Sequence, residues 1–168
     1  MGAETKKVLE LVKAGKNVEM IGQAGTGKTY TLKHLARMME REDIPYIMTA
    51  STGRAALNIG GQTIHSFCGA GIGDEDDDVY LKKVTNSSWY KKAYNQPRVL
   101  VIEEISMLSM AYFDLVNRLA QAVRKSKKPF GGLQVVVCGD YMQLPPVNAE
   151  YAFKSQIYQS IFGDQQST

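Results

Sequence analysis

Val18-Glu-Met-Ile-Gly-Gln-Ala-Gly-Thr-Gly-Lys-Thr29 is the stretch that decides how this chain is read. Its last eight residues match G-x-x-x-x-G-K-[ST] without a gap, and its first four form a short apolar strand candidate. After Lys28, the spacing Leu32, Leu35, Ala36, Met39 gives the i, i+3, i+4, i+7 stripe of a packed helix. Strand, glycine-rich loop and helix in that order form a phosphate-binding unit. Glycines at 22, 25 and 27 let the backbone curl so that successive N–H groups point at phosphate oxygens. The helix N-terminus adds its partial positive charge. Lys28 is expected to reach the β- and γ-phosphates, and the Thr29 hydroxyl to ligate Mg²⁺. Gly22, Gly25, Thr26, Gly27, Lys28 and Thr29 are therefore the candidate nucleotide-binding residues. A glycine-rich turn that merely carries Lys-Thr is the bland alternative, and the strand–loop–helix context argues against it.

Outward from this unit the chain alternates strands and helices. Val8, Leu11 and Val12 share a helical face that ends at Gly15. Ile44 to Thr49 is a strand candidate at the Pro45 boundary. Val99 to Ile102 and Val135 to Cys138 are unbroken apolar runs, as expected for parallel strands covered on both faces. Val116, Leu119, Ala120 and Val123 mark a helix between them. The pattern predicts an α/β fold with a mostly parallel sheet flanked by crossover helices. The acidic run Asp74, Glu75, Asp76, Asp77, Asp78 reads as a surface loop that leads into a short helix, whose dipole favours negative charge.

With 168 residues, 44% hydrophobic and 22% charged, the chain fits one soluble domain with a real core. No apolar run approaches the roughly 18 residues of a membrane span, and the polar start from Met1 to Lys7 does not resemble a signal peptide. Cys68 and Cys138 stand apart, with no CxxC pattern, so a reducing, intracellular setting is expected rather than a disulfide framework or a zinc site. A net charge of +3 is too mild to announce a nucleic-acid binder by itself.

A phosphate-cleaving site needs acids at the end of a second buried strand, and Val99-Leu-Val-Ile-Glu-Glu104 supplies two. Glu103 is the candidate magnesium ligand and Glu104 the candidate base that activates the attacking water. After Val135 to Cys138 comes Gly139-Asp-Tyr-Met-Gln-Leu-Pro-Pro146, in which Gln143 has the donor and acceptor needed to sense a γ-phosphate. Read alone, that segment is equally a loop that ends at proline.

Taken together, these segments resemble the PIF-type DNA helicases of superfamily 1. The matching stretches include Thr49-Ala-Ser-Thr-Gly-Arg-Ala-Ala56, Ile59-Gly-Gly-Gln-Thr-Ile-His-Ser-Phe67, Glu104-Ile-Ser-Met107, Phe130-Gly-Gly-Leu-Gln134 and Gly139 to Val147. The resemblance implies a RecA-like P-loop NTPase domain, with ATP and Mg²⁺ as cofactors, that moves along single-stranded DNA and unwinds duplex 5′ to 3′. It implies catalytic roles for Lys28, Glu104 and Gln143. It also implies single-strand DNA contacts at Thr49, Ser51, Thr52, His65, Ser66 and Phe67, and a small strand-separating wedge at about residues 68–88; read without the resemblance, His65 and Phe67 are ordinary packing around a helix start. On this resemblance the partners are single-stranded DNA and a second RecA-like domain, which residues 1–168 do not contain; no membrane is involved. Two positions depart from the family. Glu103 stands where Asp is usual. Thr5 stands about where a glutamine reads adenine, so the resemblance carries triphosphate binding further than it carries adenine selectivity. The competing reading is a reduced, non-hydrolysing module that binds nucleotide or single-stranded DNA. A small-molecule kinase would need an acceptor site and an arginine-bearing lid that the sequence does not offer.

Overall fold

The structure is a computed structural model that describes residues 2–23, 27–142, 146 and 149–163. Among these residues, five strands form one sheet: β1 (Val18–Ile21), β2 (Tyr46–Ala50), β3 (Gln62–Thr63), β4 (Val99–Glu103) and β5 (Gln134–Gly139). Their order is β1-β5-β4-β2-β3, and every pairing is parallel. Among the described residues, eight α-helices accompany them: α1 (Ala3–Lys13), α2 (Lys28–Arg41), α3 (Gly53–Asn58), α4 (Ile64–Cys68), α5 (Asp77–Thr85), α6 (Ser88–Asn95), α7 (Met110–Arg124) and α8 (Gln156–Phe162). Among the described residues no helix is long and apolar enough to cross a membrane.

Strand alternation builds two cores from one sheet. Val99, Val101, Val136 and Cys138 face Val8, Val12, Leu32, Leu35 and Met39 of α1 and α2. Leu100, Ile102, Val135 and Val137 face the opposite layer, where Phe67, Tyr94, Phe113, Leu119 and Tyr158 meet. All residues of β4 and β5 are buried, which is why both strands read as continuous apolar runs. The second strand begins one residue after Pro45, whose carbonyl accepts from the N–H groups of Arg98 and Val99.

The acidic run leads into α5 as read. Asp77 and Asp78 occupy the first turn, Asp77 pairs with Arg118, and Asp74 accepts from the Tyr80 hydroxyl at 3.2 Å. Tyr80 and Val84 are buried in the same core as Tyr112, so α5 is packed into the layer that covers the sheet. Arg124 is likewise structural, donating to the carbonyls of Gly131 and Tyr94.

Candidate nucleotide site

Because the sheet is parallel, the C-terminal ends of β1, β4 and β5 share one rim, where open α/β sheets bind ligands. At that rim the Gly22 N–H donates to the Gly139 carbonyl (3.1 Å), joining the start of the phosphate loop to the end of β5. Gly27 sits at φ 84°, a left-handed conformation that suits glycine, immediately before α2. Lys28, the first helical residue, donates from Nζ to the carbonyls of Gly22 and Gln23, both at 2.7 Å. Thr29 follows, exposed, in the first turn. Gly25 and Thr26 lie outside the described residues, as does Gln143.

The carboxylates behave differently from each other. Glu103 is buried at the end of β4; its Oε1 accepts from the Glu104 N–H at 3.1 Å, while its Oε2 has no hydrogen-bond partner among the described residues. Burial pushes its pKa up, and the nearby negative charge of Glu104 adds to this. The Cys138 thiol, the Glu104 N–H and the positive charge of Lys28 act in the opposite direction. Cys138 is itself raised well above the usual thiol range, by burial first and then by the Glu103 charge. A buried, under-satisfied carboxylate oxygen within the field of Lys28 fits a hard cation, which takes oxygen ligands and retains water.

Glu104 is half-buried and holds φ 60°, ψ 45°, uncommon for a residue other than glycine. Ser51 supports this turn twice. Its N–H donates to the Glu103 carbonyl (3.0 Å) and its hydroxyl to the Glu104 carbonyl (2.6 Å). Gly139 permits the close approach of β5: a Cβ there would lie 2.9 Å from Ile105 Cγ2. Past Gly139, Asp140 Oδ1 accepts from the Met142 N–H at 2.8 Å.

Beside the loop lies a cavity of about 210 Å³ lined by Glu4, Val8, Met20, Ile21, Gly22, Lys28 and Thr31. Sequence reasoning found neither this cavity nor the role of Ser51. Both depend on residues far apart in the chain.

The DNA candidates divide. Thr49 is fully buried and donates to the Val101 carbonyl (2.7 Å); Phe67 is buried against Tyr94, with ring centroids 4.9 Å apart. These two side chains, with that of Ser51, are corrected from DNA contacts to internal supports, because strand alternation and helix packing turn them inward. Thr52 is partly exposed and caps α3, accepting from the Ala55 N–H. Ser66 is exposed, and His65 lies half-buried on Tyr112, with its pKa lowered by burial. Arg54, unremarked in the sequence, is exposed in the first turn of α3 beside Thr52.

Comparison with known proteins agrees with this geometry. The PIF1-like helicase family model matches residues 1–166. An ATP-dependent DNA helicase Pif1 from Psychrobacter is 43% identical over 157 residues, covering 89% of this chain and 24% of its own length. The PIF1 helicase of Saccharomyces cerevisiae is 39% identical, covering 94% of this chain and 19% of its own. Among solved structures, Pif1 helicase from Candida albicans superposes with a TM-score of 0.92 at 36% identity, over 99% of this chain and 39% of that one. A Bacteroides Pif1 in complex with ADP-AlF3 and single-stranded DNA gives 0.80 at 30% identity, over 94% and 39%. The chain thus spans about a fifth to a quarter of these curated relatives. On a family match over nearly its whole length, this chain belongs to the PIF1-like helicase family.

Proposed function

We propose that this chain is the ATP- and magnesium-binding RecA-like domain of an ATP-dependent 5′-to-3′ DNA helicase. The observation that carries the proposal is the meeting of Lys28 with the Glu103–Glu104 pair on one rim of the sheet, in a chain of this family. Lys28 exchanges its two carbonyl partners for phosphate oxygens when a triphosphate enters, and the N-terminus of α2 adds its dipole. Glu103 and Thr29 would hold Mg²⁺, which neutralises charge on the β- and γ-phosphates when bound. Glu104, held in its strained turn by Ser51, orients and deprotonates the attacking water. Gln143 senses the γ-phosphate. Thr52, His65 and Ser66 face single-stranded DNA, joined by Arg54. A second RecA-like domain supplies an arginine finger, a contribution of roughly 10³–10⁵ in rate. The setting is intracellular. The alternative, a module that binds nucleotide without hydrolysis, draws on Glu103, whose longer arm lets Oε1 turn back onto the Glu104 N–H.

Steady-state ATP hydrolysis with and without single-stranded DNA, beside Lys28→Ala and Glu104→Gln, tests the proposal. DNA-stimulated turnover that Glu104→Gln abolishes means that the domain completes its own site. Background turnover with intact nucleotide binding means that catalysis awaits the second domain. A folded chain that binds no nucleotide overturns the reading.

A further inference from the structure

We propose that the base end of this site does not select adenine, and that Glu4 makes it a purine nucleoside triphosphate site that takes GTP at least as well as ATP. The inference rests on the reading that the Lys28 loop binds a triphosphate. The cavity that begins at Gly22 and Lys28 runs to the first turns of α1, so a ligand with its phosphates on the loop can extend its base toward α1. Val8, Met20 and Ile21 give it apolar walls that suit a flat ring.

Among the described residues, the polar side chains that line this cavity are few and mostly committed. Thr31 lines the cavity, but its hydroxyl lies 2.9 Å from the Thr5 hydroxyl, and both residues are buried. These two side chains are turned on each other. Lys28 belongs to the phosphate end. Among the described lining residues, Glu4, exposed in the first turn of α1, remains as the side chain able to read a base edge.

An ionised carboxylate only accepts hydrogen bonds. An amide both donates and accepts, and so matches adenine, whose N6 amino group donates next to a ring nitrogen that accepts. A carboxylate satisfies that amino group but sets its second oxygen against a lone pair. On guanine, N1–H and the N2 amino group are neighbouring donors, and two carboxylate oxygens take both. The charge-assisted pair is also the stronger one. The cavity therefore carries the hydrogen-bonding complement of guanine.

The test is displacement of mant-labelled ATP by unlabelled ATP and GTP, with magnesium, from the wild-type chain, Glu4→Gln, Thr5→Gln and Lys28→Ala. The wild type is expected to bind GTP as tightly as ATP or more tightly. Glu4→Gln replaces the acceptor pair with an amide and is expected to move the ratio toward ATP by about tenfold, with Thr5→Gln moving it in the same direction. A wild type that binds ATP more tightly than GTP overturns the proposal, as does a ratio unmoved by Glu4→Gln. If the folded wild type binds neither nucleotide, the triphosphate reading itself falls; if it binds both and Lys28→Ala binds neither, that reading stands whichever base is preferred.

Discussion

Ser51 shows how much one hydroxyl decides at this site. Glu104 occupies a left-handed conformation that costs on the order of 1–3 kcal/mol, and the bond from Ser51 Oγ to its carbonyl opposes that cost. Ser51→Ala is expected to lower stability by about 1 kcal/mol, read by urea denaturation, and to reduce any turnover that depends on Glu104. Ser51→Thr keeps the hydroxyl and should restore much of both. His65 gives a pH signature. Burial holds its pKa below the ordinary 6.5, so the unfolded chain binds the proton more readily than the folded one. The stabilisation is full above the unfolded value and is lost as pH falls from there through the folded value. The wild-type Tm should therefore drop on acidification below about 6.5 more steeply than that of His65→Gln, a difference muted by the half-exposure of the ring. Equal slopes for the two proteins would refute this.

At the scale of elements, Phe130-Gly-Gly-Leu-Gln134 turns out to be a junction. Phe130 is at φ 53° and Gly131 at φ 61°, and the Phe130 N–H is received by Asn117 Oδ1 of α7 at 2.7 Å, in the core. Gln134, at the start of β5, donates from Nε2 to the carbonyls of Val12 and Lys16, both at 2.8 Å, and so closes the C-terminus of α1. The stretch fixes how α7 turns into β5, and through β5 where Gly139 and Asp140 emerge at the rim. Asn117→Ala leaves a buried N–H without its acceptor and should cost about 1–3 kcal/mol. Gly131→Ala is expected to cost about 2 kcal/mol or more: its Cβ would lie 2.6 Å from the Ala120 carbonyl oxygen, at a φ that L side chains rarely adopt. Urea denaturation midpoints measure both, and wild-type midpoints would show that the junction is dispensable.

On the scale of the whole molecule, a parallel sheet with both faces covered collects its functional residues at one rim, and distant segments hold that rim in place. Residues 149–163 illustrate this: Tyr158, Ile161 and Phe162 of α8 are buried, Tyr158 packs on Phe113, and its hydroxyl donates to Glu19 on β1. Burial of such side chains stabilises by about 1.5–3 kcal/mol each, a large share of a domain stability of about 5–15 kcal/mol. A chain cut before Ala149 should lose its cooperative urea transition and near-UV circular dichroism; retention of both would mean that α8 is a passive appendage. The strand–loop–helix unit around Lys28, the buried runs that end in Glu103 and Glu104, and the α/β class were legible in the sequence. Each is a local pattern, set by side-chain period and by glycine spacing within a few residues. The order of the strands and the burial of Thr49 were not legible, nor were the Ser51–Glu104 bond across 53 positions and the Thr5–Thr31 pair across 26. A hydroxyl or a ring looks the same in sequence whether it faces solvent or core. Only the packing of parallel strands and their crossover helices, which joins residues far apart in the chain, decides which way each one points.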